Sequence, residues 1–209
     1  MKERKLKKEF EITVEDTEYP AMGIGYYESK KMLIKNTFPE QVYWGRYMKN
    51  HNGAGVILPL EKLQRAPYEV EPECVHYGKC GGCMSQDIPY DRQTSFKEKE
   101  VLQLFADADL QFDEYHGIIG SPNQYRYRNK MEYTFGDEVK GGEMTLGMHL
   151  KGRKNAVVTT DGCKLVSEDF NRIVKACLEY FKAKDVPYYR TMSHKGILRN
   201  LIIILNKQV

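Results

Sequence analysis

Apolar and polar residues alternate along much of the chain, and the period changes from segment to segment. Phe10, Ile12 and Val14 alternate with polar partners, the two-residue period of a half-buried strand. Met22–Tyr26, Met32–Ile34, Val42–Trp44 and Gly53–Leu58 are further short runs, separated by turn signals such as Phe38-Pro39-Glu40. About five short strands at this spacing predict a small β-barrel over residues 1–66. Pro67, Pro72 and a cysteine-rich loop at 74–83 then break the pattern and predict a boundary. Behind Pro89, the stripe Phe96, Val101, Leu104 and Phe105 predicts a helix from Asp91 to Ala106. From Tyr125 to Phe135 the odd positions are mostly aromatic, and the even ones begin Arg126, Arg128, Lys130. This predicts a strand with one inward aromatic face, placing Tyr125 and Tyr127 in the core, and one cationic face. Met144, Leu146, Met148 and Leu150 alternate again, and Ala156–Val158 predicts a further strand. Ser167 is a good N-cap for a helix carrying Phe170, Ile173, Val174, Cys177, Leu178 and Phe181 on one stripe. Leu201–Leu205 predicts a closing apolar strand.

Composition narrows the class. The 209 residues suit one to two domains, read here as 1–66 and 67–209, and 41% hydrophobic with 29% charged residues is ordinary for a globular chain. Thirty-two basic against 29 acidic residues leave +3, which excludes a strongly basic tail protein but permits a local basic surface. No apolar run is long enough for a membrane span, and no apolar run follows the charged start Met1-Lys2-Glu3-Arg4-Lys5 as a secretory signal would require. A reducing cytoplasm is therefore expected. There, five cysteines point to metal or redox chemistry rather than to disulfides.

Cys74, Cys80 and Cys83 form C-x5-C-G-G-C, and Cys163 stands far downstream in Asp161-Gly162-Cys163. Cys177 lies on an apolar helix stripe and reads as a core thiol. Gly78, Gly81 and Gly82 free the loop to wrap its sulfurs around one point. Four thiolates suit a structural zinc or an iron–sulfur cluster, and spacing alone leaves the two about level. His76 could supply zinc with a nitrogen, or simply face solvent.

The segment Cys74-Val-His-Tyr-Gly-Lys-Cys80-Gly-Gly-Cys83-Met-Ser-Gln86-Asp-Ile-Pro-Tyr90-Asp-Arg-Gln93, leading to Lys97, resembles the iron–sulfur segment of the RNA uracil-5-methyltransferases. Residues 1–66 resemble the TRAM domain of that family, an RNA-binding barrel of the OB type. Tyr125–Gly136, Leu146-Gly147, Asp161–Cys163 and Lys195–Leu201 resemble its central region. The resemblance implies that Cys74, Cys80, Cys83 and Cys163 hold a 4Fe–4S cluster. It implies RNA (tRNA or 23S ribosomal RNA) as partner and S-adenosylmethionine as cofactor. No glycine-rich strand–turn–helix fingerprint occurs, and no cysteine follows Cys177. The resulting fold class is mainly β with an α+β second part: a TRAM/OB-like barrel, then an iron–sulfur-stapled central domain. A Rossmann-like methyltransferase domain is expected to be absent from the chain, truncated before the catalytic domain, inactive alone and holding no catalytic residue. The alternative is a free-standing RNA-binding iron–sulfur or zinc module without catalysis; a monomer is expected in either case.

An RNA surface would draw first on Arg126, Arg128 and Lys130. The run Lys2, Arg4, Lys5, Lys7, Lys8 could add phosphate attraction. In the barrel, Lys30, Lys31, Lys35, Arg46 and Lys49 with Tyr26, Tyr27, Tyr43 and Trp44 suit a nucleic-acid face from which some aromatics must be core.

Overall fold

The computed structural model describes residues 8–18 and 22–206. The chain divides into two compact units, Met1–Val70 with Asp87–Gly120, and Glu71–Gln86 with Ser121–Val209. The chain thus crosses between units three times, where the sequence placed one boundary.

In the first unit, β1 (Glu9–Thr13), β2 (Asp16–Glu18), β3 (Met22–Tyr27), β4 (Lys30–Lys35), β5 (Val42–His51) and β6 (Ala54–Gln64) form one sheet in the order β1-β5-β6-β4-β3-β2. Only the β4–β6 pair is parallel. The two edge strands, β1 and β2, are joined by Val14 and Glu15 alone. Such a link bridges at most about 11 Å, so the sheet must curl. The Glu15 N–H donates to the Ile24 carbonyl at 2.7 Å, tying the end of β1 to β3. Inside the curl lie Phe10, Ile12, Val14, Met32, Ile34, Tyr43 and Ile57. Phe10 stacks on Tyr27 with ring centroids 3.9 Å apart.

A buried carboxylate ties the end of this sheet to the chain that follows. The Glu69 side chain is 2% exposed. It accepts hydrogen bonds from Gln41 (2.6 Å), Lys62 (3.0 Å), Arg65 (3.2 Å) and the Ala66 N–H (3.0 Å). Lys62 also reaches Asp87 at 3.2 Å, and Gln41 accepts the Phe38 N–H at 2.8 Å. Burial opposes ionisation of Glu69, but the bonds from Ala66, Gln41 and Lys62 outweigh it and hold the carboxyl below its usual value.

Helix α1 (Tyr90–Asp107) folds with this unit. Phe96 packs on Phe38 at 5.9 Å and on Tyr68 at 6.1 Å. Lys99 bonds both carboxylate oxygens of Asp16. Val101, Leu104 and Phe105, the rest of the anticipated stripe, stay exposed.

In the second unit, β7 (Lys130–Asp137), β8 (Met144–Leu150), β9 (Arg153–Thr159) and β10 (Asn200–Ile204) form an antiparallel sheet ordered β10-β7-β8-β9. Helix α2 (Glu168–Ala183) lays Phe170 and Val174 on Met131, Tyr133, Phe135, Leu146 and Ile203. Cys177, Leu178 and Phe181 pack against the same core. Ser167 does occupy the N-cap position, but its hydroxyl bonds no helix N–H.

The strand anticipated from Tyr125 begins only at Lys130. Arg126 has φ +55°, outside the extended region. The N–H groups of Arg126 and Arg128 donate to the carbonyls of Lys164 and Leu165 (2.9 and 3.0 Å) rather than to a sheet neighbour. Tyr125 is consequently only half-buried and Tyr127 is exposed, neither being core. Alternation is a property of extended backbone, and it fails where one residue turns.

Glu69→Ala is expected to destabilise the chain by about 1–3 kcal/mol in urea denaturation, because the Gln41 amide and the Ala66 N–H lose their buried partner while Lys62 keeps Asp87. The folded-state carboxyl lies below the ordinary 4.5, so its contribution is complete above that value and lost as pH falls through the folded-state pKa. Glu69→Gln should flatten the acid limb of stability against pH.

Candidate metal centre

Cys74, Cys80, Cys83 and Cys163 line one cavity in the second unit, with His76, Gln86, Arg128, Met131, Met148, Thr160 and Leu165 among the other walls. All four thiols are free of disulfides. Three come from the loop after Glu71 and the fourth follows β9, so backbone contacts must bring the segments together. The Gly81 N–H donates to the His149 carbonyl at 2.9 Å, and the Lys151 N–H to the Lys79 carbonyl at 2.9 Å. These bonds stitch the loop to the end of β8, where Cys80 bridges Leu150. Gly78, at φ +82°, supplies a left-handed turn that a side chain would strain. The Gly162 N–H donates to His76 Nε2 at 3.2 Å, linking positions 86 apart in sequence. Asn171, on α2, clamps Cys163 from the other side: its Oδ1 accepts the Cys163 N–H at 3.0 Å and its Nδ2 donates to the Cys163 carbonyl at 3.3 Å.

Two donors already point at sulfur. The Gly82 N–H lies 3.3 Å from Cys80 Sγ, and Gln86 Nε2 lies 3.2 Å from Cys83 Sγ. Burial raises the thiols of Cys80, Cys83 and Cys163 above their ordinary pKa. The Gly82 N–H opposes this at Cys80; at Cys83 the Gln86 amide does so first, and the Arg128 charge adds to it. Without a bound cation such thiols stay protonated; an electrophilic metal would displace the protons. Among the described residues, no group of three or more His, Cys, Asp or Glu side chains stands in a metal-holding arrangement.

His76 does not simply face solvent. It is largely buried and serves as an acceptor for the Gly162 N–H, with burial holding its pKa below the ordinary value. Asn171 and the buried Thr160 were not recognised from the sequence. A polar residue inside an apolar helix stripe was the only signal for Asn171.

The candidate RNA residues separate. Arg128 lines the cysteine cavity, Arg126 lies exposed on the same non-extended segment, and Lys130 begins β7. In the first unit, Tyr43 is core and Tyr27 packs against it. Lys31 pairs with Glu18, and Arg46 with Glu9, which also accepts from Trp44 Nε1 at 3.3 Å. Tyr26, Lys30, Lys35 and Lys49 are exposed. Lys8 pairs with Glu28 at 3.0 Å, and Lys2, Arg4, Lys5 and Lys7 lie outside the described residues. No described helix is long and apolar enough to cross a membrane.

No protein-family model matches the chain. It is 48% identical over 193 residues to an uncharacterized RNA methyltransferase of Clostridium acetobutylicum, covering 92% of this chain and 42% of that protein. An uncharacterized RNA methyltransferase of Clostridium tetani is 46% identical over 199 residues, covering 94% and 43%. A third, from Caldanaerobacter subterraneus, is 36% identical over 192 residues, covering 92% and 42%. The crystal structure of the Pyrococcus abyssi tRNA (uracil-54, C5)-methyltransferase, in complex with S-adenosyl-L-homocysteine, superposes with a TM-score of 0.65 at 17% identity. That match covers 91% of this chain and 42% of the other. Over nearly its whole length the chain is therefore related to proteins named as RNA methyltransferases. It spans about two-fifths of the length of the relatives it matches.

The structural likeness corrects the expected fold class. Ninety-one per cent of the chain superposes on a methyltransferase, so the expected absence of a Rossmann-like methyltransferase domain does not stand as a property of this protein. That expectation leaned on a missing glycine-rich fingerprint, and such a motif reports on one phosphate-binding turn rather than on a whole fold.

Asn171→Ala should cost the protein about 1–3 kcal/mol, because the Cys163 N–H and carbonyl lose their buried partner. Chemical denaturation of the metal-free chain would measure it.

Proposed function

We propose that the chain is the RNA-binding, 4Fe–4S-bearing portion of an S-adenosylmethionine-dependent RNA (uracil-5-)-methyltransferase acting on tRNA or ribosomal RNA in the cytoplasm. One observation carries the reading: four thiols from distant segments face one cavity into which N–H donors already point. The relatives' shared name supports the RNA methyltransferase part.

The donor set fits a cluster. Cys74, Cys80, Cys83 and Cys163 would each hold one iron, and four cysteines around one cavity are the ligand set that such a cluster takes. Met131, Met148 and Leu165 keep water from the walls. With every iron carrying a thiolate, the cluster would staple the 74–83 loop to Cys163, and its role is structural. S-adenosylmethionine supplies the methyl group in enzymes of this kind, and no residue described here is assigned to it or to the uracil chemistry.

RNA would meet two surfaces. The first unit serves as a TRAM-like module, offering Lys30, Lys35, Lys49 and Tyr26 for phosphate and stacking contacts. In the second unit, Arg126, Arg128 and Lys130 bind phosphate beside the cysteine loop.

Anaerobic purification should yield a brown protein containing iron and acid-labile sulfide in equal amounts; a colourless, zinc-loaded protein would overturn the cluster assignment. Cys163→Ser should abolish the visible absorption, whereas Cys177→Ser should retain it. For the cluster-replete protein, changing Arg126, Arg128 and Lys130 together to Ala should weaken binding to single-stranded RNA. The slope of log K against log salt should fall by about 2, at about 0.7 per phosphate contact. An unchanged slope would remove these three residues from the RNA surface.

A further inference from the structure

Two buried hydroxyls of the second unit, one on the cysteine cavity and one in the core behind it, have no hydrogen-bond partner among the described residues. Thr160 is 2% exposed and lines the cavity directly, yet its Oγ1 is unpaired. Tyr133 is fully buried in the core against which Cys163 packs, and its phenol is also unpaired. A buried hydroxyl without a partner costs about 1–3 kcal/mol, and Val or Phe would fill the same spaces without that cost. Thr160 therefore brings to the cavity wall a hydroxyl that gains a partner once an acceptor enters. Gln86 Oε1 is unpaired as well, but as an acceptor it gains nothing from sulfur.

We propose that the hydroxyls of Thr160 and Tyr133 donate hydrogen bonds to sulfur of the 4Fe–4S group, Thr160 to a sulfur facing the cavity and Tyr133 to the Cys163 thiolate. The inference rests on the cluster reading above. The Gly82 N–H and Gln86 Nε2 already lie at Cys80 and Cys83 sulfur, and the two hydroxyls would bring the donors to four. Hydrogen bonds to sulfur stabilise the more negative, reduced state and so raise the reduction potential. The two hydroxyls thus set the potential of the group and harden it against loss, without ligating it.

The test compares Thr160→Val and Tyr133→Phe with the unaltered protein, and uses Thr160→Ser as the variant that keeps the hydroxyl. Anaerobic dithionite titration, followed by visible absorption and electron paramagnetic resonance, should show a more negative midpoint for Thr160→Val and for Tyr133→Phe. Thr160→Ser should keep the original midpoint. Metal-free Thr160→Val and Tyr133→Phe chains should be at least as stable in urea as the metal-free parent, since each loses an unpaired polar group. A purely structural hydroxyl would give the opposite: lower metal-free stability and an unmoved midpoint. Unchanged midpoints in both variants overturn the proposal, and the isosteric Tyr133→Phe keeps it testable should Thr160→Val not fold. Failure of the underlying reading looks different: the unaltered protein would take up no iron and sulfide on anaerobic reconstitution.

Discussion

Four cysteines from segments far apart in the chain must face one cavity, and much of the second unit serves that convergence. The 74–83 loop has no regular structure of its own, so its position is borrowed. Gly81 and Lys79 are bonded to the chain leaving β8, His76 accepts from Gly162, and Asn171 holds the backbone of Cys163. Each of these bonds involves a residue one or a few positions from a cysteine. A rigid four-stranded sheet and one helix thereby aim four flexible thiols, in the way that outer-shell groups orient the ligands of metal sites.

The surroundings of the thiols are tuned in two opposed directions. Burial among Met131, Met148 and Leu165 disfavours thiolate, while the Gly82 N–H, the Gln86 amide and the Arg128 charge favour it. Such a pocket is poised for a cation that removes protons on binding and then shares its charge with the protein donors. The first unit manages a buried charge by other means. Glu69 is kept ionised in the interior by four protein donors, and this joins the end of β6 to the segment leading away from it.

Local sequence was informative wherever backbone geometry repeats. The strands of the first unit follow the alternation of Phe10, Ile12 and Val14 and of the runs after them, because a pleated strand turns every second side chain to one face. Helix α2 follows the 3.6-residue stripe from Phe170 to Phe181 for the same kind of reason, except that Ile173 stays exposed. The aromatic and cationic alternation from Tyr125 was equally regular but misled. One residue at φ +55° and two backbone bonds to the Lys164–Leu165 segment remove its first five residues from the sheet.

From the sequence by itself came the grouping of Cys74, Cys80 and Cys83, the separation of Cys177 as a core thiol, and the periodic elements, since all of these depend on spacing within a few turns of chain. Only the tertiary structure decided that Cys163 faces the same cavity, that His76 is an acceptor for the Gly162 N–H rather than a surface group, that Arg128 stands at the thiols, and that the Thr160 hydroxyl on the cavity wall and the Tyr133 hydroxyl in the core are unpaired. The physical reason is one of range. Periodicity records which face of an element a residue occupies, whereas a site assembled from β7, β9, α2 and an irregular loop is defined by distances that no local pattern encodes.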